Sequence, residues 1–129
     1  MSFHLSRIGQ IALSVADVDR AEAFYRETLG LPHLYRFGEL SFFDCAGVRL
    51  MLQKAEGQGG VAKASPIYFS VPDLVIAVTT LNARGVTFTH PPARLAEMED
   101  HDLWMAFFTD PDGHVLALMN EAPKGFRLT

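Results

Sequence analysis

Gln10–Tyr25 reads QIALSVADVDRAEAFY, and Pro66–Leu81 reads PIYFSVPDLVIAVTTL. Set one above the other, 66 − 10 = 56 residues apart, they place Ile11 over Ile67, Ser14 over Ser70, Val15 over Val71, Asp17 over Asp73 and Ala21 over Ala77. Leu13/Phe69 and Val18/Leu74 agree in character. Matches that stay in register across so long a stretch imply an internal duplication.

Each copy reads as a strand followed by a helix. Ile11, Leu13 and Val15 alternate with Gln10, Ala12 and Ser14, as a half-buried strand requires. Asp17 and Asp73 stand where a helix N-cap is needed, since a carboxylate there accepts from free N–H groups of the first turn. Val18, Ala21, Phe24 and Tyr25 make one helical face; Leu74, Ala77, Val78 and Leu81 make the other. Gly30 and Gly85 fall where these helices should stop.

Three short strand-like runs follow each helix. The first set is HLYRF, LSFFDC and VRLMLQK; the second is VTFTH, LWMAFFT and HVLALMN. The expected fold is therefore α+β, with two βαβββ modules. Residues 8–54 form the first, 66–120 the second, and the Gly-rich stretch Ala55–Ser65 joins them; 121–129 is a C-terminal tail. HPPARLAEMEDHD (His90–Asp102) is expected to be the longest loop of the second module. Near the end, TDPDGH places Asp110, Pro111 and Gly113 at the first, second and fourth positions of a type I turn, which joins two antiparallel strands.

Composition narrows the function. A chain of 129 residues with 49% hydrophobic and 20% charged content can bury a core. Its net charge of −4 argues against a general nucleic-acid binder. Cys45 is the only cysteine, so no intrachain disulfide forms, which fits a reducing compartment. Met1–Gln10 lacks a signal-peptide pattern and no run is long enough to span a membrane. A cytoplasmic protein is the expectation.

The duplicated βαβββ pattern, the opening IALSVADVDRAEAFYRETLGL and the closing FFTDPDGHVLALMN resemble the vicinal oxygen chelate superfamily. That group includes glyoxalase I, bleomycin-resistance proteins, extradiol dioxygenases and methylmalonyl-CoA epimerase. The resemblance spans about Ile8 to Asn120. It implies two curved mixed sheets forming a cup, within one chain or across a homodimer. It also implies a divalent metal in many members, held by His or Gln, Glu, His and Glu from the first and last strands of each module.

Carried onto this sequence, the ligand pattern falls on Gln10, Met51, Pro66 and Ala117. Only Gln10 offers an oxygen donor, and a neutral amide alone cannot compensate a dication. No cofactor is therefore expected. The leading expectation is binding of a small organic molecule in the inter-module cavity without the usual metal. The alternative is a metal-dependent lyase, isomerase or dioxygenase of the glyoxalase type, with a displaced metal site. Whether the chain is an enzyme stays open, since the fold hosts several chemistries.

Alternation assigns Gln10, Ala12, Ser14, Arg49, Met51, Gln53, Tyr68, Ser70, Val115, Ala117 and Met119 to the cavity side. Gln10, Arg49, Met51, Tyr68, Ala117 and Met119 are the ligand-binding candidates. Arg49 could pair with a carboxylate or phosphate, or simply extend its head into water. Tyr68 could donate to a ligand oxygen or be a packed aromatic. His101, in EMEDHDLW, is the one acid–base candidate, against the plainer reading of a solvated acidic loop. His114 is expected to be exposed after the turn glycine. GQGG (Gly57–Gly60) lacks the context of a phosphate loop, and Cys45 lacks an activating neighbour.

Overall fold

The first module begins with a strand that must find its partner far along the chain. In the computed structural model, which describes residues 2–57 and 60–126, β1 (Gln10–Val15) pairs in parallel with β4 (Val48–Lys54). The intervening chain supplies the crossover: α1 (Val18–Ala23), a π-helical turn (Phe24–Thr28), β2 (His33–Phe37) and β3 (Leu40–Cys45). The sheet order is β1-β4-β3-β2, with the other pairings antiparallel. Asp17 caps α1, its side chain accepting from Arg20 N at 3.1 Å. The turn before β4 has Ala46 and Gly47 at φ 51° and 99°. Asp44 Oδ1 accepts from Gly47 N at 2.8 Å and holds this turn, which suits a two-residue hairpin.

The second module repeats the order. β5 (Ile67–Ser70) pairs in parallel with β8 (Val115–Ala122), and the sheet runs β5-β8-β7-β6. α2 (Leu74–Ala83) is capped by Asp73, which accepts from Ile76 N at 3.1 Å. The β7 (Asp102–Thr109) to β8 turn forms as the sequence implies. Gly113 N donates to Asp110 O at 3.0 Å, and Asp110 Oδ1 accepts from the N–H groups of Asp112 and His114.

In each module one face of the sheet packs on its helix. Leu13, Val15, Phe43, Leu50 and Leu52 are buried with Val18, Ala21 and Tyr25 in the first. Phe108, Ala106, Leu116 and Leu118 are buried with Leu74 and Leu81 in the second. The two compact units meet at 62/63, within Ala55–Ser65; Gln58 and Gly59 of that stretch, and of the GQGG motif, lie outside the described residues. So do Met1 and residues 127–129 of the tail.

Four expectations need correction. VTFTH is not a strand: residues 86–89 are irregular, and β6 is His90–Glu97. The expected long loop is thus mostly strand, with only residues 98–101 between β6 and β7. Pro91 and Pro92 are tolerated because β6 is an edge strand whose register with β7 shifts twice, between His90/Ala93 and Arg94/Ala96. His114 is buried, not exposed, because its N–H is drawn onto Asp110. β8 also runs on to Ala122, two residues past Asn120. Among the described residues, no helix is long and apolar enough to cross a membrane.

Candidate functional site

Strand register decides which side chains share the helix-free face of the first sheet. Gln10 stands opposite Arg49, Ala12 opposite Met51 and Ser14 opposite Gln53. Met51 stands opposite Phe42, and Phe42 opposite Tyr35. Ala12, Met51, Phe42 and Tyr35 therefore form one row across four strands. Tyr35 joins this row only because β2 bulges between His33 and Tyr35. Without that bulge, alternation would turn Tyr35 toward α1, on the side where His33 meets Phe43 at 5.0 Å.

Arg49 lies at the centre of the polar end of this face. Its Nε donates to Gln10 Oε1 at 2.7 Å, and its Nη1 donates to Tyr35 Oη at 3.3 Å. Its guanidinium carbon sits 5.5 Å from the centre of the Phe42 ring, within cation–π range. Gln10 Nε2 lies 3.9 Å from Met51 Sδ. The sequence candidates Gln10, Arg49 and Met51 are thus brought together; Tyr35 and Phe42 complete the cluster.

Farther along the same face the surface becomes concave. A cavity of about 500 Å³ is lined by residues including Ser14, Glu39, Leu40, Gln53, Lys54 and Glu56. That volume falls in the range of small-molecule sites. Ala62 N donates to Ser14 Oγ at 3.0 Å, so the chain after β4 folds back over this end of β1. Gln10 and Ser14 are four residues apart, about 13 Å along the strand.

The second sheet has a matching row of different character. Tyr68 pairs with Ala117, Ala117 with Phe107, and Phe107 with His90. The Tyr68 and Phe107 rings meet edge to face at 6.0 Å, and His90 meets Phe107 at 5.7 Å. Ala117 is wholly buried between its two aromatic neighbours, and Met119 lies beside Ser70 and Met105 on the same face. The register brings Tyr68, Ala117 and Met119 together and adds Phe107 and His90, which the sequence reading did not single out. Phe107 was findable, since it alternates with buried Phe108 in β7. His90 was read both as the end of the VTFTH run and as the start of the loop after it, so its place at the start of β6 was not seen.

His101 belongs to neither row. It sits at the β6–β7 hairpin, where its Nδ1 lies 2.7 Å from Asp100 Oδ1. Six residues separate it from Phe107, roughly 20 Å along an extended strand. The hydrogen bond with His101 holds the Asp100 carboxyl below its ordinary value. Burial pushes the Cys45 thiol above its ordinary value, and Asp44 adds to this, so the thiolate nucleophile is disfavoured.

The divalent metal implied by the resemblance can be tested against these donors. Gln10 Oε1, the one oxygen at the four positions, already accepts from a guanidinium that would repel a cation. Met51 offers a neutral thioether, Ala117 offers nothing, and Pro66 precedes β5 with neither a side-chain donor nor an N–H. These residues do not fit a hard or borderline dication. Among the described residues, no cluster of three or more His, Cys, Asp or Glu could hold one elsewhere.

Comparison with known proteins completes the picture. A family profile described as "Glyoxalase/Bleomycin resistance protein/Dioxygenase superfamily" matches residues 7–118. A lactoylglutathione lyase from Agrobacterium tumefaciens is similar in structure, with TM-score 0.76 and 24% identity, over 96% of this chain and 100% of that one. An integron cassette protein from the mobile metagenome of V. cholerae superimposes with TM-score 0.77 at 18% identity, over 95% and 100% of the two chains. TioX from Micromonospora sp. ML1 gives 0.74 at 19% identity, over 90% and 99%. Likenesses at these identities establish the shared fold and no more.

Proposed function

The chain belongs to the glyoxalase/bleomycin resistance protein/dioxygenase superfamily, and from that premise we propose that it binds a small organic molecule without a divalent metal. The site is the helix-free face of the first module, from Arg49 to the cavity beside Ser14 and Gln53. The single observation that carries this reading is the Arg49–Gln10 hydrogen bond at 2.7 Å. It puts a permanent cation where metal-using relatives need an anionic or neutral donor set. The cavity volume and the mixed apolar and polar lining support it, since a binding site needs concavity and a few oriented polar groups. Tyr68, Phe107 and Met119 give the second module an apolar face suited to contact with organic groups. A homodimer in a cytoplasmic setting belongs to the same proposal, and light scattering on the purified protein tests the dimer.

The decisive experiment has two arms. Metal content is measured on protein purified without chelator, and thermal denaturation is followed against a panel of small acids, aromatic compounds and antibiotics. The expected result is sub-stoichiometric metal and a raised midpoint with at least one compound, because a ligand specific to the native state stabilises it. One equivalent of divalent ion, lost on Gln10→Ala, would return the chain to the metal-dependent lyase, isomerase or dioxygenase reading. A silent panel would leave a scaffold without a ligand of its own.

A further inference from the structure

The structure assigns a chemical class to that ligand: we infer a flat, largely apolar monocarboxylate, selected by Arg49. The inference rests on the reading of this face as a ligand site and adds what the site accepts.

Two arginines of the first module are held in different ways. Arg36 is neutralised on the helix side. Its Nη1 lies 2.9 Å from Asp19 Oδ1 and 3.0 Å from Glu22 Oε2. Arg49 has no carboxylate within 4.0 Å among the described residues. A neutral amide, a phenol oxygen and an aromatic ring fix it instead. These contacts orient the guanidinium without cancelling its charge, and a guanidinium cannot shed that charge by losing a proton. Asp44 is paired with Arg49 across β3 and β4, yet its Oδ1 accepts from Gly47 N in the turn. The charge is therefore held in place without an ion pair to Asp44 or to any other described carboxylate.

The donors that remain define the anion. Arg49 Nη2 carries two N–H groups with no acceptor among the described residues. Tyr35 Oη accepts from Arg49, which leaves its own O–H free to donate. Donors on two adjacent groups suit the two oxygens of one carboxylate. A phosphate dianion fits less well. It would need a second cation at the same anion, but Asp44, paired with Arg49, is acidic, and Arg7, the basic residue at this end of the sheet, is engaged with Gly47 O in the turn. Lys54 is five residues along the strand, roughly 17 Å away. The chain's net charge of −4 also opposes a dianion.

The rest of the ligand follows from what lies beside the cation. Phe42 and Met51 form the floor next to Arg49, and Tyr35 and Phe37 stand exposed at the sheet edge. Tyr35 meets Phe42 at 4.7 Å and 76°, and Phe37 at 6.4 Å and 87°. Such an edge-to-face series presents ring faces and edges to a further flat group. The strip from Gln10 to Ser14 gives about 13 Å for the molecule's length.

The test compares acids with their neutral amides, which share shape but not charge. The full-length protein is titrated calorimetrically at low salt with 2-naphthoate and 2-naphthamide, and with cinnamate and cinnamamide. Each acid is expected to bind about tenfold more tightly than its amide. That advantage is expected to shrink in 0.5 M salt (roughly threefold the physiological level), because Arg49 is open to solvent. In Arg49→Met the acid should lose its advantage while the amide keeps its affinity. Equal affinity of acid and amide, or a preference that survives Arg49→Met, would overturn the assigned class and leave the ligand site standing. Tighter binding of 2-naphthyl phosphate than of 2-naphthoate would likewise overturn the monocarboxylate. Binding of none of these compounds would count against both the class and the site.

Discussion

The two modules keep the same frame and exchange the contents of one row. Asp17 and Asp73 cap equivalent helices, and Phe42 and Phe107 occupy the same place on the third strand. In the row between them, the first module has small Ala12 beside large Met51. The second has large Tyr68 beside small Ala117. Volume is conserved across each strand pair while its position is reversed. The first face is left open, with an oriented cation; the second is closed over by touching aromatic rings. Helix-side packing constrains sequence through shape, whereas the helix-free rows are free to diverge in chemistry. This lets a duplicated fold carry different residue types at paired positions without losing its architecture.

The largest expected effect tests the helix side of that division. Phe108 is wholly buried and contacts Phe88, whereas Phe37 is 70% exposed. Phe108→Ala should cost about 3–5 kcal/mol in urea unfolding, through lost burial and a residual cavity. Phe37→Ala should stay within about 0.5 kcal/mol. Similar costs for the two would erase the distinction between the faces.

Restoring a carboxylate to the closed row comes next. Ala117→Glu would put a charge between Tyr68 and Phe107 at a site with no exposure. Desolvation and overpacking together should cost about 3 kcal/mol at neutral pH. Burial raises a carboxyl's folded pKa above its unfolded value of about 4.3. The penalty should therefore ease below that pH, as the group becomes neutral, and grow above it. Added zinc or nickel should not recover the loss, because Tyr68 and Phe107, which flank position 117, supply neither a carboxylate nor an imidazole beside it. Recovery by metal would mean that the row still has the capacity to form a metal site.

Much of this frame is legible in the sequence, because caps, turns and strand alternation are local. Asp17, Asp73 and the Asp110–Gly113 turn act through backbone groups a few residues away. The features that escaped are set by pairing between strands. The bulge at His33/Tyr35 moves Tyr35 to the Arg49 face, and nothing within HLYRF announces it. Pro91 and Pro92 argue against a strand unless the strand is known to lie at an edge. Arg49 was identified as facing the cavity side, but its contact with Gln10 required the register. The residue types at the four aligned ligand positions were readable once the resemblance aligned them, since a donor is visible as a residue type.

A smaller effect separates half-buried Glu22 of the first module from buried Asp102 of the second by acid titration. Burial opposes ionisation of Glu22, but hydrogen bonds from Ser41 and Arg36, with the charges of His33 and Arg36, outweigh it. Its folded pKa lies below the ordinary 4.5. The stability it contributes is thus present above that value and lost as pH falls through the folded pKa. Glu22→Gln should cost about 1 kcal/mol at pH 7, and the gap from wild type should close on acidification. Asp102 in the second module is held below its ordinary value chiefly by Lys124, whose Nζ lies 2.8 Å from its Oδ1. Lys124→Met should therefore raise the Asp102 pKa, measurable by carboxyl NMR titration, while Glu22 stays unchanged.

The smallest effect on stability should belong to Arg49, and its smallness is informative. Removing Arg36 strips Glu22 of a cation, and the Glu22 side chain is only 19% exposed. Arg36→Met should then cost about 1–2 kcal/mol, since a largely shielded carboxylate loses its partner. Removing Arg49 strands no charge. Its partners are Gln10, which is exposed and can turn to water, the partly exposed Tyr35 hydroxyl, and the face of Phe42. Arg49→Met should change unfolding stability by less than about 0.5 kcal/mol, and the methionine could even gain contact with Met51 and Phe42. A cation that is oriented, has no ion pair among the described residues and proves dispensable for folding would be available for something other than the fold. A loss for Arg49→Met as large as that for Arg36→Met would instead make Arg49 part of the module's own architecture, and the contrast between the two arginines would no longer support a ligand anchor.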